Sequence, residues 1–539
     1  MSTLRAAAVT GRAPASGVRG PGPLPAAARR AGLSLTGVGL ILVLWAAVAT
    51  LFGGRLKIIP EPWTVIGQLF HDGFYLPNLE VTLGEAFRGF LIGNAAALIA
   101  GAACVLWPRA RGAVMQVAAA SYCIPAVAIG PLLVVFVSSD VTKVVISALS
   151  VFFVSASAVL LGLSQTSSSA LDLGHTLGAS RLFVLFRVRV RFAVPAAAAG
   201  VALSIPGALL GAIVAEYLGG DSGLGVAMVQ AQQAFEVPRT WAIALLATLI
   251  STAGYGLVSL AARRLRFTAV NNEAAGAATA ARSGRRGWSW TLVRVVTGVA
   301  AVVVVWYGLV WVLGLDPYLA KTPGDVLAYF FSGPHAAANR GTVLSALGST
   351  LGDAAGGYVL GTALALAAAV VVLLSRTVDA MFTPIAMALR SIPLVAMTPL
   401  VGLVFGRGFL GVTVLTATIT FVPTFVNVVT GMRQVPRSSE DLMHAYDVGW
   451  RRTILIRSFY ALPALASSAR VAIPGAILGA VLAEYLATAT GLGHLIALSS
   501  INSDFSALWA TVTVTTVLSI VLYAVLTALE SVALRRLSA

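Results

Sequence analysis

Ionisable residues standing inside apolar sequence are few in this chain, and they come in matched places. Thr82 and Glu85 recur as Thr350 and Asp353, and the stretch Ala215-Glu216-Tyr217-Leu218 recurs as Ala483-Glu484-Tyr485-Leu486. The threonine-to-acid spacing is that of a capping box at a helix start. Glu216 and Glu484 stand toward the end of an apolar run, where a carboxylate opposes the helix dipole. An interfacial seat is the plain reading, with a role in a pathway or gate as the alternative. Arg390 has no counterpart, because Tyr122 stands in the matching place. It can snorkel to the membrane surface or point into a path and attract an anion. Pro125, Pro131, Pro393 and Pro399 are expected to break an apolar run and free backbone groups to line a cavity. Pro125, Pro393, Arg390, Glu216 and Glu484 are therefore the candidate path residues. The rest of the ionisable set offers no chemistry of its own. Lys57, Lys143 and Lys321 follow Leu, Thr and Ala, so none belongs to a phosphate-binding Gly-Lys-Ser/Thr loop. The 5 histidines are scattered, which gives no metal or acid–base cluster. Cys104 and Cys123 lie in apolar runs and read as small buried hydrophobes.

These residues are carried by an unusually apolar chain. Of its 539 residues 58% are hydrophobic and 10% charged, with a mean hydropathy of +0.90; soluble domains carry roughly 25% charged residues. Runs long enough to cross a bilayer, about 20 residues, recur at Ser34 to Phe52, Phe90 to Trp107, Ala113 to Val137, Val144 to Leu163 and Trp241 to Ala262. Each must satisfy its backbone internally and so form a helix. The net charge of +16 sits in short arginine-rich segments between and beyond these runs, the placement that fixes membrane topology, so nucleic acid is not an expected partner.

The chain contains itself twice. Matched residues stand 268 positions apart: 82 and 350, 125 and 393, 195 and 463, 216 and 484, 241 and 509. Six apolar spans per copy are expected, in the second near 295–315, 357–374, 381–405, 409–432, 462–486 and 507–529. An even number returns each copy to its starting side, so the repeats run parallel. The predicted fold is all-α and membrane-embedded, about twelve spans in two parallel six-helix repeats. Residues 1–32 read as a flexible basic cytoplasmic tail, 33–266 as the first repeat, 267–288 as a polar cytoplasmic linker and 289–539 as the second repeat. Arg109 and Arg111, Arg376, and the denser sets Arg181, Arg187, Arg189, Arg191 and Arg451, Arg452, Arg457 place their loops and both termini on the cytoplasmic side of the inner (plasma) membrane.

The loop between the fourth and fifth spans is more than a connection. In the first copy it holds Asp172-Leu173-Gly174-His175 and then Gly178-Ala179-Ser180-Arg181. In the second it holds Asp441, Met443-His444-Ala445, Asp447 and Gly449-Trp450-Arg451. Each opens on serines and acidic residues, as a helix start does, and each has a glycine at which a new helix can begin at an angle. A short helix in the same place in both copies favours docking to a partner over merely lying on the membrane. Gly178 and Gly449 are 271 apart, so unequal loops are expected.

Here the sequence resembles the permeases of binding-protein-dependent ABC importers, whose cytoplasmic loop of this order forms a helix seated in an ATPase subunit. Arg390-Ser391-Ile392-Pro393-Leu394 running on to Pro399, Leu177-Gly178-Ala179-Ser180-Arg181, and Ala-Glu-Tyr-Leu followed by Gly-Leu-Gly resemble the branch for nitrate, sulfonates, taurine and thiamine-type pyrimidines. The resemblance implies a type I importer permease fold and no catalysis by this chain. It also implies two copies of a separate ATPase binding ATP and Mg, and an extracytoplasmic solute-binding protein. The residues quoted from the two loops would be its ATPase-coupling set. The other readings are an ion-coupled secondary transporter, disfavoured by few paired intramembrane charges, a fused permease for ferric iron or thiamine, and a membrane enzyme or scaffold.

Overall fold

The computed structural model describes residues 59–264 except 72 and 74, residues 314–374 and residues 404–538, together with scattered residues of 39–51, 300–312 and 398–402. The expected tail (1–32) and linker (267–288) lie outside these. Every regular element among the described residues is helical. In the first repeat these are α1 (Pro62–His71), α2 (Tyr75–Leu106), α3 (Arg111–Cys123), α4 (Ala126–Phe136), α5 (Ser139–Ser164), α6 (Ser168–Thr176), α7 (Arg181–Gly219), α8 (Leu224–Gln233) and α9 (Val237–Arg264). The second repeat gives α10 (Pro323–Phe331), α11 (Ala336–Leu374), α12 (Phe409–Met432), α13 (Arg437–Ala445), α14 (Trp450–Ala487), α15 (Gly491–Ile501) and α16 (Phe505–Ser538).

Eight of these helices are long and apolar enough to span, and nine spans result if α3 and α4, bent by 89° at their break, count as one. The break falls at Pro125, which caps α4 in an extended conformation; proline disfavours helical geometry in the residue before it and lacks the N–H that would continue the ladder. The remaining expected spans, near 34–52, 295–315 and 381–405, fall wholly or partly outside the described residues. Elsewhere helix starts follow local chemistry. Thr322 and Asp325 form a reciprocal capping box at α10, and the Thr322 backbone N–H and hydroxyl hold the Asp325 carboxyl below its usual range.

Each repeat is built on one close-packed trio, α2, α5 and α7 in the first and α11, α12 and α14 in the second. Gly89 and Gly211 both face Ser147, and Gly357 and Gly479 both face Thr416. A Cβ on any of them would strike the partner helix. Small residues let helix backbones approach in lipid, where dispersion replaces the hydrophobic drive. Tryptophans then fasten the outermost elements, Trp45 against Trp241 at 5.5 Å and Trp306 stacked on Trp509 at 5.1 Å.

These contacts reveal a hidden register change. Ser147 and Thr416 stand 269 apart, as do Gly162 and Gly431, which face Ala193 and Ala461, a pair 268 apart. The second repeat thus carries one extra residue before α12, and the first carries one extra residue early in α7. That extra residue is taken up by a π-helical turn at Val184–Arg189, the form a one-residue insertion takes within a helix, whereas α14 is α-helical throughout. Deleting Val188 should restore an α-helix and turn its start by about 100° relative to the membrane half. Val184 and Leu185, buried at 6% and 2% exposure, would then leave their seats. The deletion is expected to lower the thermal unfolding temperature of the detergent-purified chain by several degrees, while Arg187→Ala leaves it unchanged. Equal unfolding temperatures would contradict the insertion reading.

Candidate functional site

The structure gathers the sequence-selected residues at opposite ends of the spans. Away from the arginine-rich loops, Glu216 and Glu484 are buried within the protein, at 1% and 0% exposure. Neither is left opposing the dipole of its own helix. Glu216 Oε2 accepts from the Gly225 N–H at 2.6 Å and Glu484 Oε2 from the Gly493 N–H at 2.9 Å. Each carboxylate therefore caps the start of the following short helix, α8 or α15, where the N–H groups and helix dipole favour negative charge. Gly223 and Gly491 turn the chain just before, at φ of +114° and +92°. A Cβ at either would overlap the carboxylate, so glycine is required twice over.

Thr82 and Thr350 complete the joint. Thr82 Oγ1 accepts from the Leu224 N–H at 2.8 Å and donates to the Asn78 carbonyl at 3.0 Å, while Asn78 Oδ1 takes the Gly223 N–H at 3.1 Å. Thr350 Oγ1 accepts from the Leu492 N–H at 2.9 Å and lies 2.9 Å from Glu484 Oε2. The capping-box reading of Thr82 with Glu85 and Thr350 with Asp353 is therefore corrected. α2 begins at Tyr75 and α11 at Ala336, so all four residues lie inside helices, whose polar first turns extend beyond the apolar runs.

Glu85 is 1% exposed and pairs with Lys143 Nζ at 2.9 Å. Lys143 stands just before the apolar run Val144 to Leu163, and that position was the available signal. In the register of α12 its counterpart is Val412, so Asp353 and Glu484 sit together with no cation in the equivalent place. Removing one partner of a buried pair strands the other charge, at a cost of about 3–5 kcal/mol. Lys143→Met should accordingly destabilise the chain strongly in thermal unfolding, and Glu85→Gln with Lys143→Met should recover most of the loss. No recovery would show that the pair does not act as a unit.

A second, less buried pair joins α14 to α16. Arg470 Nη1 contacts Glu530 Oε2 at 3.2 Å, and Ser467 donates to Glu530 Oε1 at 2.5 Å. Arg470 was legible as an arginine inside the 462–486 run. Paired intramembrane charges are thus more numerous than the sequence reading allowed.

Between the repeats, Val127 and Leu482 are buried with Val214, Tyr217, Leu218, Tyr485 and Leu486 in one apolar cluster. α4 enters this seam directly after Pro125, and Tyr122 Oη donates to the Val471 carbonyl at 3.3 Å. Pro125 is thereby placed at the seam, whereas Pro393 and Arg390 lie outside the described residues.

At the arginine-rich end, α6 and α13 are the expected short helices, each nine residues long. Aligned at 269, Asp172-Leu173-Gly174-His175 falls on Asp441-Leu442-Met443-His444, a shared Asp-Leu-x-His that the 271 spacing had concealed. Leu173 and Leu442 are both 60% exposed, and Leu442 was missed. Gly178 and Asp447 take the same left-handed turn, at φ of +70° and +46°. Ala179 and Val448 return their N–H groups to Gly174 and Met443 at 2.9 and 3.0 Å. Ser180 and Gly449 then cap the following helices. Arg181 reaches the Leu106 carbonyl at 3.3 Å, and Arg451 lies over the exposed Trp450 ring at 5.3 Å. Asp172, Asp441 and Ala445 are exposed. The loops differ in tethering: Glu440 pairs with Arg457 at 3.1 Å, and Leu171 stands in the place of Glu440.

The family described as binding-protein-dependent transport system inner membrane component matches residues 93–267 and again 357–538. A probable ABC transporter permease protein of Haemophilus influenzae is 34% identical over 220 residues, covering 40% of this chain and 90% of its own length. The formylaminopyrimidine transport permease protein of Halalkalibacterium halodurans is 24% identical over 222 residues, 41% of this chain and 88% of its own. The taurine transport system permease protein of Escherichia coli is 26% identical over 243 residues, 43% and 84% respectively. In length each relative corresponds to one repeat.

Proposed function

This chain belongs to the family of binding-protein-dependent transport system inner membrane components, ABC transporter permeases, and from that premise we propose that it supplies both halves of an importer's translocation path. The observation that carries the proposal is the pair of exposed Asp-Leu-x-His helices, α6 and α13, in the same place in each repeat. Each leads through a tight turn into the helix, α7 or α14, that runs to the inter-repeat seam. An apolar side chain such as Leu173 or Leu442, held on a short helix among arginines, gains by entering a groove on a partner, and a rigid helix so held transmits movement to the span attached to it. The partner is a separate ATPase, present as two copies and carrying ATP and Mg. The second docking helix, tied down by Arg457, gives the stiffer of two unequal grips. Both termini and the arginine-rich loops lie in the cytoplasm, and the carboxylate joints face outward, toward a solute-binding protein.

The relatives named for pyrimidine and taurine transport support a small anion or small organic nutrient of nitrate, sulfonate, taurine or pyrimidine type as substrate. Import then proceeds by rocking one repeat against the other about the seam.

Purification of the tagged chain from its native membranes should bring down an ATPase. Leu173→Asp combined with Leu442→Asp should cut its recovery by about tenfold or more, because each charge placed in an apolar groove costs 1 kcal/mol or more. Substrate uptake driven by an ion gradient, with no ATPase present, would overturn the proposal in favour of secondary transport.

A further inference from the structure

The joint at Glu216 is one hydrogen-bonded attachment between α7 and the outward helix α8. A second is made by the next residue. Tyr217 Oη donates to Gln232 Oε1 at 2.7 Å, and Gln232 stands at the far end of α8 from Gly225. One end of the short helix is thus bolted to Glu216 and the other to the hydroxyl of Tyr217, whose ring lies in the apolar cluster that closes the seam. A helix held at two points cannot tilt without moving both.

The second repeat lacks the second point. Glu484 holds the start of α15 and Tyr485 enters the same cluster, but Ser500 occupies the place of Gln232, with a side chain too short to reach across. Among the described residues, no hydrogen bond joins the Tyr485 hydroxyl to α15. The joints also differ at Asn78, which takes the Gly223 N–H where the second repeat has Ala346, but the turns that enter and leave the two short helices match. Gly223 and Gly491 share a left-handed turn, as do Phe235 and Ser503, at φ of 57° and 55°.

We propose that Gln232 is a positioning residue that ties Tyr217, a gate residue of the seam, to the outward helix α8, so that displacing α8 draws the first repeat's half of the gate with it. α15 packs its start on the Tyr485 backbone but has no second bond, at its far end, to the Tyr485 hydroxyl. The gate is therefore worked from one side, and the face of α8, not that of α15, is where an extracytoplasmic protein pressing on the chain would change access to the path. This rests on the import reading only in treating the seam as the path; the linkage itself is a property of the fold.

The test uses the full-length chain in membranes, with Cys104→Ala and Cys123→Ala and a single reporter, Leu482→Cys, at the closed seam. The probe is a membrane-impermeant maleimide applied from outside. Gln232→Leu and Tyr217→Phe should each raise the labelling rate by about fivefold, the population shift that the net worth of one hydrogen bond permits. Gln232→Glu keeps an acceptor oxygen and should restore slow labelling, which a loss of folding would not allow. Ser500→Ala should leave the rate unchanged. Labelling of Gln232→Leu at the parent rate, or an equal rise in Ser500→Ala, would overturn the proposal. Recovery of a bound ATPase from the same membranes is scored separately. Altered labelling without an ATPase leaves the linkage standing and removes the import reading. An ATPase with unaltered labelling does the reverse.

Discussion

A carboxylate at the end of a spanning helix has little water to hydrate it, and a helix start nearby has N–H groups with no internal acceptor. Glu216 and Glu484 meet both needs in part with one contact through Oε2, Oε1 of each being buried without a hydrogen bond among the described residues. The cost of leaving either group unpaired in a low-dielectric surround is several kcal/mol, so the contact fixes where α8 and α15 begin. It also fixes how closely the turn before them must approach, which is why Gly223 and Gly491 cannot carry a side chain. Thr82 and Thr350 bring the second span of each repeat into the same joint. Three elements distant in sequence are locked at one end of the bundle, leaving the other end, with its arginines and short helices, free to be moved.

Much of this was legible in the sequence, for physical reasons that can be named. Hydrophobic runs gave the membrane class because lipid leaves the backbone only helical solutions, and the repeated Ala-Glu-Tyr-Leu with Gly-Leu-Gly marked the joint without showing its bonds. What failed was the boundary of the helices. An apolar run reports the part of a helix that lies in lipid, and α2 continues polar and regular back to Tyr75. Thr82 and Glu85 were therefore read as a cap when they are interior residues packed on α5 and α8. The Lys143–Glu85 pair is not legible in sequence, because its partners stand 58 positions apart and no periodicity joins them.

The register shows a subtler limit. A spacing of 268 at the prolines, the glutamates and the tryptophans implied a repeat without insertions, apart from one odd loop. The packing shows two changes of one residue that cancel, one before α12 and one absorbed by the π-helical turn in α7. Everything between them, including the short helices α6 and α13, is displaced by one. Only contacts such as Gly162 on Ala193 and Gly431 on Ala461 locate the step, because a helix hides an inserted residue that a comparison of loops would blame on the loop. Once the step is placed, the shared Asp-Leu-x-His emerges and the loops prove alike in plan.

The residues that still differ fall into a pattern. Lys143 is matched by Val412, Gln232 by Ser500, and the π-helical turn by plain α-helix; in each case the first repeat carries the additional restraint or distortion. Where two identical chains form a path, any such residue appears on both sides of it. A fused chain is free of that symmetry, so one half can be held and the other left mobile. The buried ion pair and the two-point attachment of α8 stiffen the Glu216 end of the first repeat. In the second, Asp353 and Glu484 lie together without a lysine, α15 lacks a bond to the Tyr485 hydroxyl, and a restraint is found at the opposite end, where Glu440 and Arg457 pin α13. The two repeats are thus stiff at opposite ends, and motion about the seam need not divide equally between them.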